Sequence, residues 1–414
     1  AATLDPQEAL HAGGGQGREH HRALATLVVG EVALSLVLLL CASLVLRGFR
    51  HLTSSDPGFD PEPVLTFSMS APADEYPGNS ALQGFIDPAL AAIRRVPGVA
   101  AAGAISALPY EAWGINFRIR YAGQPADNFE RRPLAEYRIV TPGFFAVTRQ
   151  RLLAGRLLDV DDDAHPGAVN AAVVNEALAM RDFPGRSPIG HRFYTGDSTF
   201  ATIVGVVSDI RNAGPLNPPQ AEVYGAAGEF GVMPASTPVM VRTRGQGPTA
   251  VEAAVRAAVR SVDPRAAISD MRPMTVVIAQ SVGQPRFYLD MLAAFASVAL
   301  VLAVAGVYGV MSYAVAQRRR EFGIRKALGS PGARIIALVG RQGLLIVGLG
   351  ALLGLVAGAA TVPLLRQLLY GVSPADGRGW LMATITLVVA GVVASLVPAL
   401  RAARVDPLTT MRGD

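Results

Sequence analysis

The chain has 414 residues, of which 51% are hydrophobic and 17% are charged. A typical soluble domain is about one quarter charged, so this composition argues against an ordinary soluble protein. The formal net charge is +5 and comes from arginine, because Lys326 is the only lysine. The arginines are scattered along the chain, so nucleic acid is not an expected partner. The single cysteine, Cys41, excludes an intrachain disulfide.

The first apolar stretch, 23–46, follows a polar segment, 1–22, and predicts a membrane-spanning helix. About 20 apolar residues cross a bilayer core, where a helix satisfies its own backbone hydrogen bonds. The stretch is too long for a typical signal-peptide core, so we interpret it as an uncleaved anchor. Glu31 lies about 12 Å into this stretch at 1.5 Å per residue. A carboxylate there is costly, which predicts a polar contact between helices or, alternatively, a proton-relay group.

Residues 47–288 have ordinary polarity and predict a large water-facing domain. Alternating strand-like and helix-like patterns indicate small α+β or split βαβ units. Strands are predicted at 64–70, 99–106, 115–121, 201–208 and 238–243, and helices at 80–96 (broken or bent near Pro88), 171–180 and 249–262. The Pro- and Gly-rich segments 123–128 and 212–219 are predicted loops.

No pattern in the chain indicates catalysis, a bound cofactor or a metal. It contains no Gly-x-Ser-x-Gly, no His-Glu-x-x-His and no P-loop. An EF-hand loop starting at Asp159 would need Gly and Glu where the chain has Ala164 and Asn170, so this acidic run is interpreted as a solvated loop. We therefore predict a protein that is not an enzyme. Any ATP that drives it would be bound by another chain.

Three further apolar stretches, within 289–316, 335–365 and 380–400, each predict a spanning helix. In the third of the four spans, Gly350, Gly354 and Gly358 recur every four residues, which predicts a smooth face for close helix packing. The predicted fold is a membrane protein with four transmembrane α-helices and a large α+β periplasmic domain inserted between the first and second.

The loop at 317–334 is the most basic of the segments that flank the spans. Its basic residues are Arg318, Arg319, Arg320, Arg325, Lys326 and Arg334, against one acid, Glu321. The positive-inside bias predicts that this loop, the segment 1–22 and the tail 401–414 are cytoplasmic. The domain at 47–288 and the loop at 366–379 are then predicted to lie outside.

The segment Gln-Arg-Arg-Arg-Glu-Phe-Gly-Ile-Arg-Lys-Ala-Leu-Gly-Ser at 317–330 resembles the cytoplasmic motif of MacB/FtsX-type ABC transporter permeases. The segments at 369–374 and 398–407 fit the same group. The predicted domain is similar to the MacB-type periplasmic core at 56–60, 153–156, 173–179 and 188–190. The resemblance covers essentially the whole chain.

The resemblance implies a permease subunit that couples a separate cytoplasmic ABC ATPase to a shape change of its periplasmic domain, in the bacterial inner membrane. It assigns ATPase coupling to Arg318, Arg319, Arg320, Glu321, Phe322, Gly323, Ile324, Arg325, Lys326, Ala327, Leu328 and Gly329. The residue pattern agrees, because Phe322, Ile324 and Leu328 offer an apolar ridge ringed by arginines. The implied cargo is small molecules, peptides or lipoproteins. Further expected partners are a second permease half or protomer, a periplasmic adaptor and membrane lipid.

Two alternatives stay open: an FtsX-like regulator of an envelope hydrolase, and a membrane receptor without an ATPase. The two ends of the chain also resemble each other, Ala-Ala-Thr-Leu-Asp-Pro at 1–6 matching Ala-Ala-Arg-Val-Asp-Pro at 402–407. This echo predicts that residues 1–12 end an earlier span, so that the chain is the C-terminal half of a duplicated permease.

Overall fold

A computed structural model describes residues 6–111, 114–124, 129–159, 162, 170–194, 200–226, 233–245, 247–328, 330–369, 372–373 and 375–404. The chain divides into two compact units. The helical unit consists of Ala1–Ser54 and Gln284–Asp414, and the inserted unit of Ser55–Gly283.

The elements, in chain order, are as follows. The helices are α1 (Pro6–Thr53), α2 (Asn79–Arg94), α3 (Gly143–Thr148), α4 (Glu176–Asp182), α5 (Glu252–Val262), α6 (Met274–Ser281), α7 (Gly283–Gln317), α8 (Arg319–Ala327), α9 (Gly332–Thr361) and α10 (Gly377–Ala403). The strands are β1 (Val64–Ser70), β2 (Val99–Ala104), β3 (Ile115–Arg118), β4 (Arg120–Tyr121), β5 (Leu134–Val140), β6 (Leu152–Gly155), β7 (Asn170–Asn175), β8 (Arg192–Tyr194), β9 (Phe200–Val207), β10 (Glu222–Ala226), β11 (Ser236–Thr243) and β12 (Ala267–Pro273).

The inserted unit contains a four-stranded sheet in the order β12-β1-β11-β2, antiparallel throughout. Leu65, Phe67 and Met69 share one face of β1, because side chains in a strand alternate between its two faces. They belong to the same buried cluster as the apolar sides of α2 and α5. On α2 this side is Phe85, Ile86, Ala89, Leu90 and Ile93, at helical spacing. Burial of these apolar side chains is the main force that fixes the helices on this sheet.

The larger sheet of the inserted unit is mixed, in the order β3-β5-β10-β7-β9-β8-β4, and β6 pairs with β9 beside β8. The pairs β5–β10 and β7–β9 are parallel, whereas β7 and β10 are antiparallel. Both parallel pairs lie in the interior of the sheet, where both strand faces are covered. The result is an α+β domain, as the sequence predicts.

The predicted helix at 171–180 is wrong in its first half. The structure has strand β7 there, followed by the short helix α4. Ala172, Val173 and Val174 are fully buried between β9 and β10, which explains an apolar run without alternation. Asn175 then caps α4, because its side-chain oxygen accepts a hydrogen bond from the Leu178 N–H at 3.0 Å.

Two smaller expectations also differ from the structure. The predicted strand at 115–121 is divided at Ile119, because β3 pairs with β5 while β4 pairs with β8. Of the two alternatives at Pro88, the break is wrong, because the helix α2 continues through this residue. Of the two predicted loops, 212–219 is a run of turns, and most of 123–128 lies outside the described residues.

A buried ionic network lies where β5 and β10 pair. Glu136 and Glu222 are neighbours across the two strands, and Arg138 lies 3.1 Å and 3.7 Å from their carboxylates. Glu222 also accepts hydrogen bonds from the Tyr224 hydroxyl at 2.6 Å and the Asn212 amide at 2.5 Å. Two carboxylates thus share one guanidinium away from water. Burial raises the pKa of Glu222 to about 7, although Arg138 opposes the shift.

In the helical unit, the described residues contain four helices that are long and apolar enough to cross a membrane: Arg22–Thr53, Gly283–Gln317, Gly332–Leu365 and Gly377–Ala403. Apolar side chains from all four, together with α8, form one buried cluster. Many leucines and valines on their outer faces are exposed, as expected of surfaces that face lipid. The first of these helices extends well beyond the apolar stretch at 23–46 and ends at Thr53.

Candidate coupling site

The short helix α8 connects the second and third apolar helices. Glu321 lies in its first turn and Arg325 and Lys326 in its last, an order that the helix dipole favours. Glu321 and Arg325 also form an ion pair at 2.5 Å, one helical turn apart. The backbone closes the helix with bonds from the Leu328 N–H to the Ile324 carbonyl and from the Ser330 N–H to the Arg325 carbonyl. Gly329 lies outside the described residues.

Phe322 faces the helical bundle and not the solvent. Its side chain is 2% exposed and packs in the cluster that contains Ile335 and Val339 of α9 and Ala399 and Ala402 of α10. The sequence pattern predicts an exposed apolar ridge of Phe322, Ile324 and Leu328. The structure divides this ridge, because Phe322 anchors α8 while the other two residues stay outside.

The outer surface of α8 is apolar at its centre and basic at its rim. Ile324 is 46% exposed and Leu328 is 83% exposed. Arg318, Arg319, Arg320, Arg325 and Ala327 are also exposed around them. An exposed leucine and isoleucine surrounded by arginines are a composition that also occurs at protein-binding surfaces, where charges contribute to specificity.

A polar contact ties α8 to the end of α10. The Lys326 ammonium donates a hydrogen bond to the Ala403 carbonyl oxygen at 3.0 Å. This carbonyl is in the last turn of α10, where a cation is favourable. Near this point, a Cβ placed on Gly332 would lie 3.6 Å from the Ala403 Cβ, so α9 begins beside the same residue.

The glycine stripe of α9 lies against α1. A Cβ placed on Gly350 would be 2.5 Å from Val32, on Gly354 2.8 Å from the Ala33 carbonyl oxygen, and on Gly358 2.7 Å from Leu40. At Gly350 and Gly354 the near atoms include the Val32 Cβ and the Ala33 carbonyl oxygen, so the approach of the two helices depends on glycine there. At Gly358 the near atom is the end of the flexible Leu40 side chain. The predicted packing residues are thus brought together with α1.

Glu31 lies against α7. A Cβ placed on Gly306 would be 2.5 Å from the Glu31 carboxylate oxygen, so this glycine makes room for the carboxylate. One turn further along α1, the Ser35 hydroxyl donates a hydrogen bond to the Ala299 carbonyl oxygen at 2.8 Å. Together the two residues give α1 a polar side toward α7. Sequence reasoning missed Ser35, although its position four residues after Glu31 was a usable signal.

Two further polar contacts in the helical unit were also missed. Arg47 forms an ion pair with Asp376 at 2.5 Å, and Asp376 caps α10 by accepting a hydrogen bond from the Arg378 N–H. Arg401 of α10 donates a hydrogen bond to the Tyr308 hydroxyl of α7 at 2.6 Å. Each contact joins residues far apart in the chain, so no local pattern reveals it.

Within the described residues, no three metal-ligating side chains come together. In the acidic run, the Asp162 carboxylate accepts hydrogen bonds from both terminal nitrogens of Arg156, at 2.6 and 2.8 Å. Residues 160, 161 and 163 of this run lie outside the described part of the chain.

Two family models match the chain. The MacB-like periplasmic core domain matches residues 26–262, and the FtsX-like permease C-terminal domain matches residues 293–407. The first match covers more than half of the chain and includes the inserted unit up to Val262. The second includes α8 and the two helices that follow it.

Among curated relatives, the macrolide export ATP-binding/permease protein MacB of Azoarcus is 25% identical over 300 residues, 70% of this chain and 44% of the relative. The uncharacterized ABC transporter permease YvrN of Bacillus subtilis is 27% identical over 122 residues, 30% of each chain. The chain spans less than half the length of the relatives it matches in this way. Among solved structures, the periplasmic region of MacB from Actinobacillus actinomycetemcomitans aligns with a TM-score of 0.36 and 13% identity, over 56% of this chain and 97% of that one.

The two matches lie in sequence as the predicted architecture requires, with a periplasmic core domain between the first apolar helix and the permease helices. The chain belongs to the MacB/FtsX family of ABC transporter permeases.

Proposed function

We propose that the chain couples ATP hydrolysis by a separate cytoplasmic ABC ATPase to a change of shape in its inserted unit. The observation that carries this proposal is the division of α8 into two sides. Phe322 is locked into the bundle, while Ile324 and Leu328 are presented outward within a basic rim. A helix that is fixed on one side and free on the other is suited to transmit the movement of a docked partner.

The coupling residues act in sequence. The partner docks on Ile324 and Leu328, and Arg319, Arg320 and Arg325 fix its orientation. Movement of α8 is passed to α9 and α10 through Phe322 and through the bond from Lys326 to Ala403. The glycine contacts then pass it from α9 to α1, which leads into the inserted unit in the sequence.

The membrane arrangement follows the charge distribution. Segments 1–22, 317–334 and 401–414 lie in the cytoplasm, and 47–288 and 366–379 in the periplasm of a bacterium, with the chain in the inner membrane. The complete transporter contains a second permease half or protomer and a periplasmic adaptor. The names of the MacB relatives, which specify macrolide export, support outward or envelope transport of small molecules, peptides or lipoproteins.

The decisive test uses the two exposed residues of α8. The tagged chain is purified from membranes of its native host, and vanadate-sensitive ATP hydrolysis is measured in the purified material. We expect Ile324→Asp and Leu328→Asp to remove most of this activity, because a charge at the centre of an apolar interface is not solvated. Leu216→Asp is the matched control, since Leu216 is also 46% exposed but lies in the inserted unit.

Equal ATP hydrolysis in the wild type and both α8 variants would contradict the docking role of α8. Absence of a nucleotide-hydrolysing partner from the wild type itself would contradict the coupling proposal as a whole and favour a receptor without an ATPase.

A further inference from the structure

The inserted unit has an open cleft of about 490 Å³, a volume in the range that small-molecule ligands occupy. Asp56, Gly58, Phe59 and Asp60 line one part of it. The rest is lined by Arg149, Arg151, Glu176, Ser208, Asp209, Arg211 and Pro219. Its charged side chains outnumber its apolar ones, which are only Phe59 and Pro219 among the lining residues. A large apolar cargo would leave these charges desolvated and unpaired, so the cleft does not suit it.

Most charges of the cleft already have partners within the protein. Arg149 pairs with Asp60 at 3.0 Å, and Asp60 also pairs with Arg242 at 3.1 Å. Arg211 donates a hydrogen bond to the Asn217 carbonyl oxygen at 3.2 Å. Asp209 accepts one from the Ala177 N–H at 2.9 Å. These groups form the walls of the cleft and are held in place.

Arg151 and Glu176 differ from their neighbours. Among the described residues, neither side chain has an ion-pair or hydrogen-bond partner, and the two do not pair with each other. Their backbones are nevertheless fixed. The Arg151 carbonyl accepts a bond from the Ser208 N–H at 2.9 Å, and Glu176 directly follows the capping residue Asn175. One free cation and one free anion therefore face the same cleft from ordered positions.

The anionic side of the cleft is reinforced by Asp209. Burial raises the pKa of Asp209, and the charge of Glu176 raises it further, so the two carboxylates repel each other. A positive group placed between them would relieve this repulsion. The cleft thus offers a site for an ammonium near Glu176 and a site for a carboxylate at Arg151.

We propose that this cleft binds a short peptide with free termini, its carboxylate on Arg151 and its ammonium on Glu176. The volume of the cleft, about 490 Å³, is large enough for a short peptide, and the polar walls match its amide groups. The proposal goes beyond ATPase coupling and does not depend on it. A peptide can occupy the cleft whether or not a nucleotide-hydrolysing partner is present.

The test is calorimetric titration of the purified chain in lipid nanodiscs, without ATPase or nucleotide. The probes are trialanine, its N-acetyl form, its C-amide and the doubly blocked form. We expect trialanine to bind at least about 10-fold more tightly than the doubly blocked peptide, since each charge-assisted pair contributes about this factor in a solvated cleft. If the chain proves not to couple to an ATPase, the expected peptide affinities stay the same.

Each variant tests one end of the peptide. Arg151→Gln is expected to weaken trialanine about 10-fold but to leave the affinity of the C-amide unchanged. Glu176→Gln is expected to weaken trialanine and spare the N-acetyl form. Because a misfolded variant would lose all four peptides, this selectivity separates recognition from folding. Arg260→Gln and Glu252→Gln on α5, outside the cleft, are matched controls that should change nothing.

Three results would overturn the proposal. The first is that trialanine does not bind at concentrations up to about 10 mM. A dissociation constant above this value is weaker than we expect of a specific site of this size. The second is equal affinity for free and doubly blocked peptides, which would point to a surface for an internal protein segment instead. The third is a loss in Arg151→Gln that is the same for trialanine and its C-amide.

Discussion

The side-chain ammonium of Lys326 donates a hydrogen bond to the main-chain carbonyl of Ala403 at 3.0 Å, so the only lysine of the chain closes the contact between α8 and the end of α10. We predict that Lys326→Met frees α8 locally, because a bond from a cation to a helix C-terminus contributes about 1–2 kcal/mol. Amide hydrogen exchange in 319–328 should become about 10-fold faster, while exchange in α5 should not change. Unchanged exchange in 319–328 would show that the bond does not hold the helix.

Phe322 should contribute far more to stability than its exposed neighbour. Phe322→Ala removes a fully buried ring from the cluster of α8, α9 and α10. Such a change typically lowers the free energy of unfolding by about 3–5 kcal/mol. Ile324→Ala removes a half-exposed side chain and should change the free energy of unfolding by less than about 1 kcal/mol. Thermal unfolding in nanodiscs measures both. Similar losses for the two variants would contradict the orientation of α8.

The glycine stripe of α9 gives a comparison within one helix. A side chain at Gly354 would collide with the Ala33 carbonyl and Leu36 of α1, whereas a Cβ at Gly348 has no described atom within 4 Å. Gly354→Val should therefore destabilise the helical unit by about 1–3 kcal/mol or more through overpacking. Gly348→Val should unfold at a temperature close to that of the wild type. The order of the two unfolding temperatures in nanodiscs is the measurement, and equal temperatures would count against close packing of α1 and α9.

Glu222 predicts a pH dependence of stability in the inserted unit. Its folded pKa, about 7, lies above the ordinary value of 4.5, so the folded state holds this proton more tightly than the unfolded state. The contribution of Glu222 to stability is therefore full below about pH 4.5 and is lost as pH rises toward 7, by an amount of about 3 kcal/mol. Glu222→Gln cannot ionise and should remove this slope.

The measurement for Glu222 is the difference in unfolding free energy between Glu222→Gln and the wild type at several pH values from 4.5 to 7.5. Taking the difference cancels the titration of the carboxylates that do not interact with Glu222. The free energy of unfolding of Glu222→Gln should rise relative to that of the wild type as pH increases. A difference that stays constant with pH would mean that Glu222 titrates normally in the folded protein.

The membrane architecture could be predicted from the sequence because its signals are local. A run such as 380–400 needs no knowledge of its neighbours to be recognised as a spanning helix. The spacing of Gly350, Gly354 and Gly358 likewise predicts a packing face by itself. The helix that packs against this face could not be predicted, because α1 is some 300 positions away in sequence. Only the folded chain shows that α1 is the partner.

The orientation of α8 could not be predicted for a related reason. Phe322, Ile324 and Leu328 are all apolar, and in a helix of nine residues the periodicity is too short to separate a buried side from an exposed one. The end of α10 decides the matter by covering Phe322. The strand β7 was missed because Ala-Ala-Val-Val is buried on both faces and does not alternate, so helix and strand give the same pattern.

The first apolar helix runs without a break for 32 residues, from Arg22 to Thr53, which corresponds to about 48 Å. In the proposed coupling mechanism, such a rod acts as a lever. If the end at Arg22 stays in place, a tilt of only about 5° displaces Thr53 sideways by about 4 Å at this length. A small tilt of the helix thereby becomes a larger displacement at Thr53, close to the start of the inserted unit in the sequence. This displacement does not require any bond within the inserted unit to break.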